Sequence, residues 1–240
     1  MDTGISIYPG LGGSITEKTD RIGAASALGI RRLFTSFHIP ETDASAFHKE
    51  LDAVLSTARS HGFDVVADIS PASAALLGMD RFEPVKLANL GITTIRIDDG
   101  FDAEKIALYS QVIQVQLNAS TLTEDNLKDL QKKRRSHGSP RRPPQLFIPR
   151  PHTGTRQDVC YRADQAAPRL RTLRGAFVAS SKGRRGPLSE GLPTLEEHRR
   201  LSVSLAARHL AALGLQSVFI GDDRPSMEEL HQLARVGQEE

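Results

Sequence analysis

The sequence predicts an α/β fold, a single (β/α)8 TIM barrel over residues 1–240. Three observations carry that expectation. Short β-rich runs alternate with helical patterns from one end to the other, which is the repetition of βαβ units rather than of meanders. The spacing S/T-x-x-E recurs at Ser14–Glu17, Thr121–Glu124, Thr194–Glu197 and Ser226–Glu229. There a hydroxyl accepts from the third backbone N–H of a helix and the Glu reaches back to the cap, so each marks a helix start. Finally, 240 residues is close to the roughly 250 that one such barrel needs.

In chain order the predicted strands are Gly4–Tyr8, Arg32–Phe37, Asp64–Ile69, Thr93–Asp98, Val112–Asn118, Gln145–Ile148, Gly175–Ala179 and Ser217–Ile220. Gly29, Gly62, Gly91 and Gly214 each stand just before a strand, where a helix ends on a left-handed residue. A doubly wound open sheet is the rival, but no G-x-G-x-x-G follows the first strand. One stretch breaks the alternation. Lys132 to Pro144 is basic and proline-rich without periodicity, and reads as a solvated loop between the fifth and sixth strands. Proline removes a ladder donor and breaks helices, so neither element is expected to form normally from Lys133 to about Leu146.

Composition narrows the function. A net charge of +2 argues against nucleic acid or a membrane surface as partner. Aromatics make up 5% and Trp is absent, which leaves no stacking platform for single strands. The lone Cys160 has no disulfide partner and fits a reducing compartment. No secretory signal and no apolar run of roughly 20 residues is present, so a cytoplasmic protein is expected. His48, His61, His198, His209 and His231 fall in helical patterns without an i, i+4 ligand pair, and His38 and His152 stand alone at strand ends. No metal site is therefore expected.

Strand parity points to the chemistry, because alternate side chains face opposite sides of a sheet. Ile95 and Ile97 would face the helices, and Arg96 and Asp98 the lumen. Val66 and Asp68 share one face of the third strand, and Gln116 and Asn118 one face of the fifth. Three strands thus end on an inward polar residue, Asp68, Asp98 and Asn118, at the edge where this fold keeps its active sites. Arg96 reads as a structural partner that neutralises Asp68 or Asp98. Asp99, of opposite parity, either joins the site or orders the loop. The loop after the seventh strand, Ser180 to Pro193, carries Lys182, Arg184, Arg185 and Glu190, an anion clamp with an acid–base carboxylate. After the sixth strand, Pro149 and Pro151 hold Arg150 extended, with Thr153 and Gly154 beside it; a guanidinium fork suits phosphate or carboxylate.

Taken together, these motifs resemble the N-terminal barrel domain of the MupG family, the 6-phospho-N-acetylmuramidases. The resemblance rests on Gly4 to Pro9, Phe34 to Ser36, Asp68 to Pro71, Ile95 to Phe101, Leu117 to Ser120, Pro149 to Gly154, Gly186 to Glu196 and Ile220 to Asp222. It implies a cytoplasmic glycoside hydrolase of cell-wall recycling, without cofactor. The bond cut is the β-1,4 link beside 6-phospho-N-acetylmuramic acid, as in 6-phosphomuramyl-N-acetylglucosamine. Catalytic candidates are Asp98 and Glu190, with Asp99 and Asp68 in reserve, since such hydrolysis generally uses two carboxylates. Substrate-binding candidates are Tyr8, Asn118, Arg150, Thr153, Lys182, Arg185 and Asp222. A sugar-phosphate isomerase or lyase using Lys182, and a non-catalytic phosphosugar-binding remnant, are the alternatives. Relatives carry a smaller β domain after the barrel, which the chain is expected to lack. They also read His-Asn-Phe-Tyr-Pro where this chain has Gln145-Leu146-Phe147-Ile148-Pro149. A reading-frame artefact or a recent frameshift from Lys133 to about Leu146 is the expected cause, since Pro144-Gln145-Leu146, if written CCA-CAA-CTT, becomes His-Asn-Phe one base later.

Overall fold

The computed structural model describes residues 1–37, 39, 42–97, 100–118, 124–136, 145–147, 175–186 and 189–239. Eight strands occupy the predicted places: β1 (Asp2–Ser6), β2 (Arg32–Ser36), β3 (Asp64–Ile69), β4 (Thr94–Ile97), β5 (Gln114–Asn118), β6 (Gln145–Phe147), β7 (Gly175–Val178) and β8 (Ser217–Ile220). They form a curled, all-parallel sheet in chain order. Phe147 pairs with Gly175 between β6 and β7, and β8 lies beside β1, from Asp2 opposite Ser217 to Ile5 opposite Ile220. Around the sheet run α1 (Ile15–Ala27), α2 (Ala44–Ser60), α3 (Ser73–Leu76), α4 (Pro84–Leu90), α5 (Ala103–Val112), α6 (Glu124–Ser136), α7 (Val203–Ala212) and α8 (Met227–Gln238).

The helix signals have physical counterparts. Ser14 and Ser226 make complete capping boxes with Glu17 and Glu229. Asp43, Asp102 and Ser202 cap α2, α5 and α7 with one side-chain oxygen each. Gly29, Gly62, Gly91 and Gly214 all have positive φ, the conformation that stops a helix at little cost for glycine.

Three expectations are corrected. Thr194 does not start a helix. Its Oγ1 accepts from the Phe177 N–H at 2.8 Å and its own N–H donates to the Phe177 carbonyl at 2.9 Å, so it extends the edge of β7. A 3-10 turn follows at Glu196–His198, and α7 begins later, on Ser202. Val112 belongs to α5, not to β5. The basic run is not loop throughout either, since α6 continues through Lys132 and Lys133 to Ser136, and Gln145–Phe147 pairs with β5 from Gln116 to Asn118. The Thr121 cap and residues 137–144 lie outside the described residues.

Two apolar layers follow from parity. Ile5, Leu33, Val65, Ile95, Val115 and Val218 pack outward against the helices. Tyr8, Phe34, Ile39, Val66, Phe177 and Phe219 form a separate cluster on the inner face, with Phe34 edge-on to Phe177 at 4.9 Å. Glycine at position 4 makes room for that cluster. A Cβ there would lie 2.3 Å from the Phe219 ring and 2.9 Å from the Arg32 carbonyl.

Candidate functional site

Above the aromatic cluster the inner face becomes polar. Ser36, Asp68, Arg96 and Gln116 stand opposite one another across β2, β3, β4 and β5, and all four are buried. Arg96 donates to both oxygens of Asp68, from Nε at 2.8 Å and NH2 at 3.2 Å. Ser36 Oγ donates to Asp68 Oδ2 at 3.3 Å. The Arg96 guanidinium lies 5.5 Å over the Phe34 ring, so the pair is anchored from below as well as from the side. The structural reading of Arg96 therefore holds, with Asp68 as its partner. Asn118, at the end of β5, is also buried.

The second half of the site is the segment after β7. Asp222 follows β8 and is fully buried. Its Oδ2 accepts from the backbone N–H of Ser180 at 2.8 Å and of Leu192 at 3.3 Å, and its Oδ1 from that of Arg185 at 2.9 Å. Burial pushes its carboxyl above the ordinary value despite these three donors. Glu229 of α8 holds the same segment from the other side, accepting from the Ser181 N–H at 2.6 Å and from the Ser180 and Ser181 hydroxyls at 2.9 Å. Burial opposes its charge, but the hydrogen bonds from Ser181 and Ser226 outweigh that and hold it below the usual range. Ser180 Oγ also accepts from the Lys182 N–H at 3.2 Å.

Tyr8 links the two halves. Its hydroxyl donates to the Gly221 carbonyl at 2.7 Å, and burial raises its pKa to about 12, so it stays a neutral donor. The Arg185 guanidinium lies 4.9 Å over its ring, a cation–π arrangement. Tyr8, Arg185 and Asp222 are thus brought together. Lys182 is in the same segment but exposed. Glu190 is exposed too. Its carbonyl and that of Gly191 accept from Arg199 NH1 at 3.0 and 3.1 Å, and the preceding Ser189 has φ 53°, the one positive φ outside glycine among the described residues. A side chain held there stores roughly 1–3 kcal/mol, a strain that clusters at functional sites. Asp98, Asp99, Arg150 and Thr153 lie outside the described residues.

Between the segments that follow β1, β7 and β8 is a cavity of about 260 Å³. Gly10, Gly12, Arg184, Arg185, Asp223 and Arg224 line it. Arg224 escaped the sequence reading, although it stands four residues past the end of β8, just beyond the family-like run Ile220 to Asp222. Glu229 was legible as a cap, but not as a second ligand of the β7 segment.

The histidine reading needs one correction. His198 and His209 sit eleven residues apart on different elements, yet their Nε2 and Nδ1 atoms lie 2.7 Å apart, with Glu197 Oε1 3.8 Å from His209. Among the described residues, this trio brings its ligand atoms within 4.8 Å of one another and could hold a metal ion. Burial and the neighbouring His209 lower the His198 pKa to about 4. The imidazole–imidazole hydrogen bond accounts for the approach without an ion.

A curled parallel sheet with helices outside and a polar C-terminal edge defines the TIM-barrel-like class of α/β proteins. The chain belongs to the family described as 6-phospho-N-acetylmuramidase, N-terminal, whose family model matches residues 3–235. Among solved structures it is similar to a conserved Enterococcus faecalis protein of unknown function, with TM-score 0.82 and 28% identity over 99% of this chain and 66% of that one. It is also similar to an uncharacterized B. cereus protein, with TM-score 0.77 and 27% identity over 97% and 64%. The chain therefore spans about two thirds of the length of each. A phospho-2-dehydro-3-deoxyheptonate aldolase of Thermotoga maritima shares the fold at TM-score 0.62 and 15% identity. No curated protein matches. Among the described residues no helix is long and apolar enough to cross a membrane.

Proposed function

We propose that residues 1–240 form a single (β/α)8 barrel that hydrolyses the β-1,4 bond beside 6-phospho-N-acetylmuramic acid in a disaccharide such as 6-phosphomuramyl-N-acetylglucosamine. The reaction belongs to cytoplasmic cell-wall recycling and uses no cofactor, nucleic acid or membrane. The observation that carries this reading is the family match over residues 3–235. The polar C-terminal edge, with its buried carboxylates and clustered guanidiniums, supports it.

In the proposed mechanism Asp98 and Glu190 flank the glycosidic bond. One, as the acid, protonates the leaving oxygen. The other either attacks the anomeric carbon or activates a water, depending on whether the two carboxyls are about 5 Å or more than roughly 6.5 Å apart. Asp98 comes two residues after Arg96 in the sequence, and Glu190 follows the strained Ser189. Asp99 and Asp68 are the reserves. Asp68 is the weaker of them, because Arg96 engages both its oxygens. Tyr8, Asn118, Arg150, Thr153, Lys182, Arg185 and Asp222 are the proposed substrate-binding set. For Tyr8 and Asp222 the observed hydrogen bonds favour an indirect part, holding Gly221 and the β7 segment in place. An isomerase or lyase reading would need Lys182 desolvated, and its exposure gives that reading no support.

The test is incubation of the chain with 6-phosphomuramyl-N-acetylglucosamine, with products read by mass. Cleavage to N-acetylmuramic acid 6-phosphate and N-acetylglucosamine is expected, and Asp98→Asn and Glu190→Gln should each lower kcat by about 10²-fold or more. Equal cleavage of the unphosphorylated disaccharide, or full activity in both variants, would overturn the reading.

A further inference from the structure

We infer that the cavity between the β1, β7 and β8 segments is the phosphomonoester subsite, with Arg224, Arg184 and Arg185 as its cationic wall. The inference rests on the phosphosugar reading for the identity of the sugar, but the anion chemistry stands on the cavity itself. Three guanidiniums and one carboxylate, Asp223, line it, and Asp223 lies 3.7 Å from Arg224 Nε. A positive excess therefore faces the space. The Asp222 carboxylate beneath is already occupied by three backbone N–H donors. A water's share of liquid volume is about 30 Å³, so about 260 Å³ admits a phosphate ester with a few waters. Whole-ligand pockets run from about 300 to 1,000 Å³, so the cavity suits a substituent better than a disaccharide.

The wall is held in place before any ligand arrives. On the β1 side a buried ion pair, Lys18 Nζ to Glu50 Oε2 at 2.7 Å, fixes the segment at both ends. Glu50 Oε2 accepts from the Gly10 N–H at 2.7 Å, and Lys18 Nζ donates to the Gly12 carbonyl at 2.8 Å. Glycine at 12 lets the cation come close, since a Cβ there would lie 2.8 Å from Arg224 NH2. Glycine at 183 does the same for the backbone, where a Cβ would stand 2.3 Å from the Arg224 carbonyl. On the β7 side Arg184 Nε donates to the Ser180 carbonyl at 3.2 Å, and Arg185 is stacked on Tyr8. Rigid guanidinium forks presented in this way match phosphate oxygens. With the phosphate seated here, the glycosidic bond extends over the mouth toward the ends of β4 and β5.

Calorimetric titration of the full chain decides the matter, with N-acetylmuramic acid 6-phosphate, N-acetylmuramic acid and inorganic phosphate as probes. The sugar phosphate is expected to bind at least about tenfold more tightly than either of the others. Arg224→Gln and Arg184→Gln should each weaken the sugar phosphate about tenfold while leaving N-acetylmuramic acid unchanged, with thermal unfolding run alongside to show that the variants fold. Equal binding of the phosphorylated and unphosphorylated sugars, or unaltered affinity in both variants, overturns the assignment. Inorganic phosphate binding as tightly as the ester would make this a free-phosphate pocket, which also overturns it. A chain that binds the sugar phosphate through Arg224 but cleaves no disaccharide keeps the subsite and loses the hydrolase reading; the converse result separates the two the other way.

Discussion

At the scale of single residues, the buried charges do most to define the inner face. Arg96 and Asp68 occupy facing register positions on β4 and β3, and each is only about 5% exposed. Removing one partner breaks a buried, two-point ion pair, so Asp68→Asn or Arg96→Met should cost about 3–5 kcal/mol of stability by chemical denaturation. Replacing both together by apolar residues should cost less than either single change. His198 gives a pH-dependent prediction. Its pKa falls from the ordinary 6.5 to about 4 in the folded protein, so between those values the unfolded chain binds the additional proton. Stability is then unaffected above pH 6.5 and is lost as pH falls from there toward 4. Denaturation midpoints at pH 7.5 and 5 should show that loss in the native protein, and a smaller one in His198→Gln. Strand parity made the Asp68–Arg96 pair legible. The His198–His209 contact was not, because it joins elements whose mutual placement no local pattern encodes.

At the scale of elements, the β7 segment is held by two carboxylates, Asp222 and Glu229, that come from later in the chain. Asp222→Asn keeps the size but loses an acceptor for one of three backbone N–H groups. A loss of about 1–3 kcal/mol in stability is expected, together with weaker binding of the sugar phosphate, since Asp222 holds the Arg185 backbone. Thr194 shows how a local motif is overruled. Its S/T-x-x-E spacing suits a cap, yet the Phe177 N–H and carbonyl at the edge of β7 captured its side chain and backbone. Inside the sheet, Gly4→Ala would press a methyl into the Phe219 ring and should destabilise by roughly 1–3 kcal/mol; adding Phe219→Leu should recover part of that. Helix and strand both reach into the unusual segment at Lys133–Leu146, so its composition does not prevent either element, and a frameshift there is decided by the codons alone. Sequencing the gene across Lys133–Leu146 should show codons that read His-Asn-Phe one base later, and codons that cannot do so dispose of the idea.

For the whole molecule, sheet order decides which of the described polar groups share a region. The strands β1, β7 and β8 adjoin one another, so their following segments meet and bring Gly12, Arg184 and Arg224 around one cavity. The strands β2 to β5 carry the buried polar layer. An extended phosphorylated disaccharide would lie across both regions, its anion on one side and its scissile bond on the other. Comparing the phosphorylated and unphosphorylated disaccharides by kcat/KM measures that division directly, with a preference for the former of about tenfold or more expected from a charge-assisted contact.

The sequence by itself determined the strands, most helix ends and which face of each strand turns inward. These follow from local rules: alternation along a strand, a hydroxyl three residues before a carboxylate, glycine where φ must be positive. It also determined the family, because the motifs are spread over nearly the whole chain. Only the tertiary structure decided which groups meet. Lys18 finds Glu50 across two helices, Glu229 reaches Ser181, Tyr8 reaches Gly221 and Arg224 faces Gly12. The last two of these contacts depend on the curvature that returns β8 to β1, a property of the whole parallel sheet and of no segment within it.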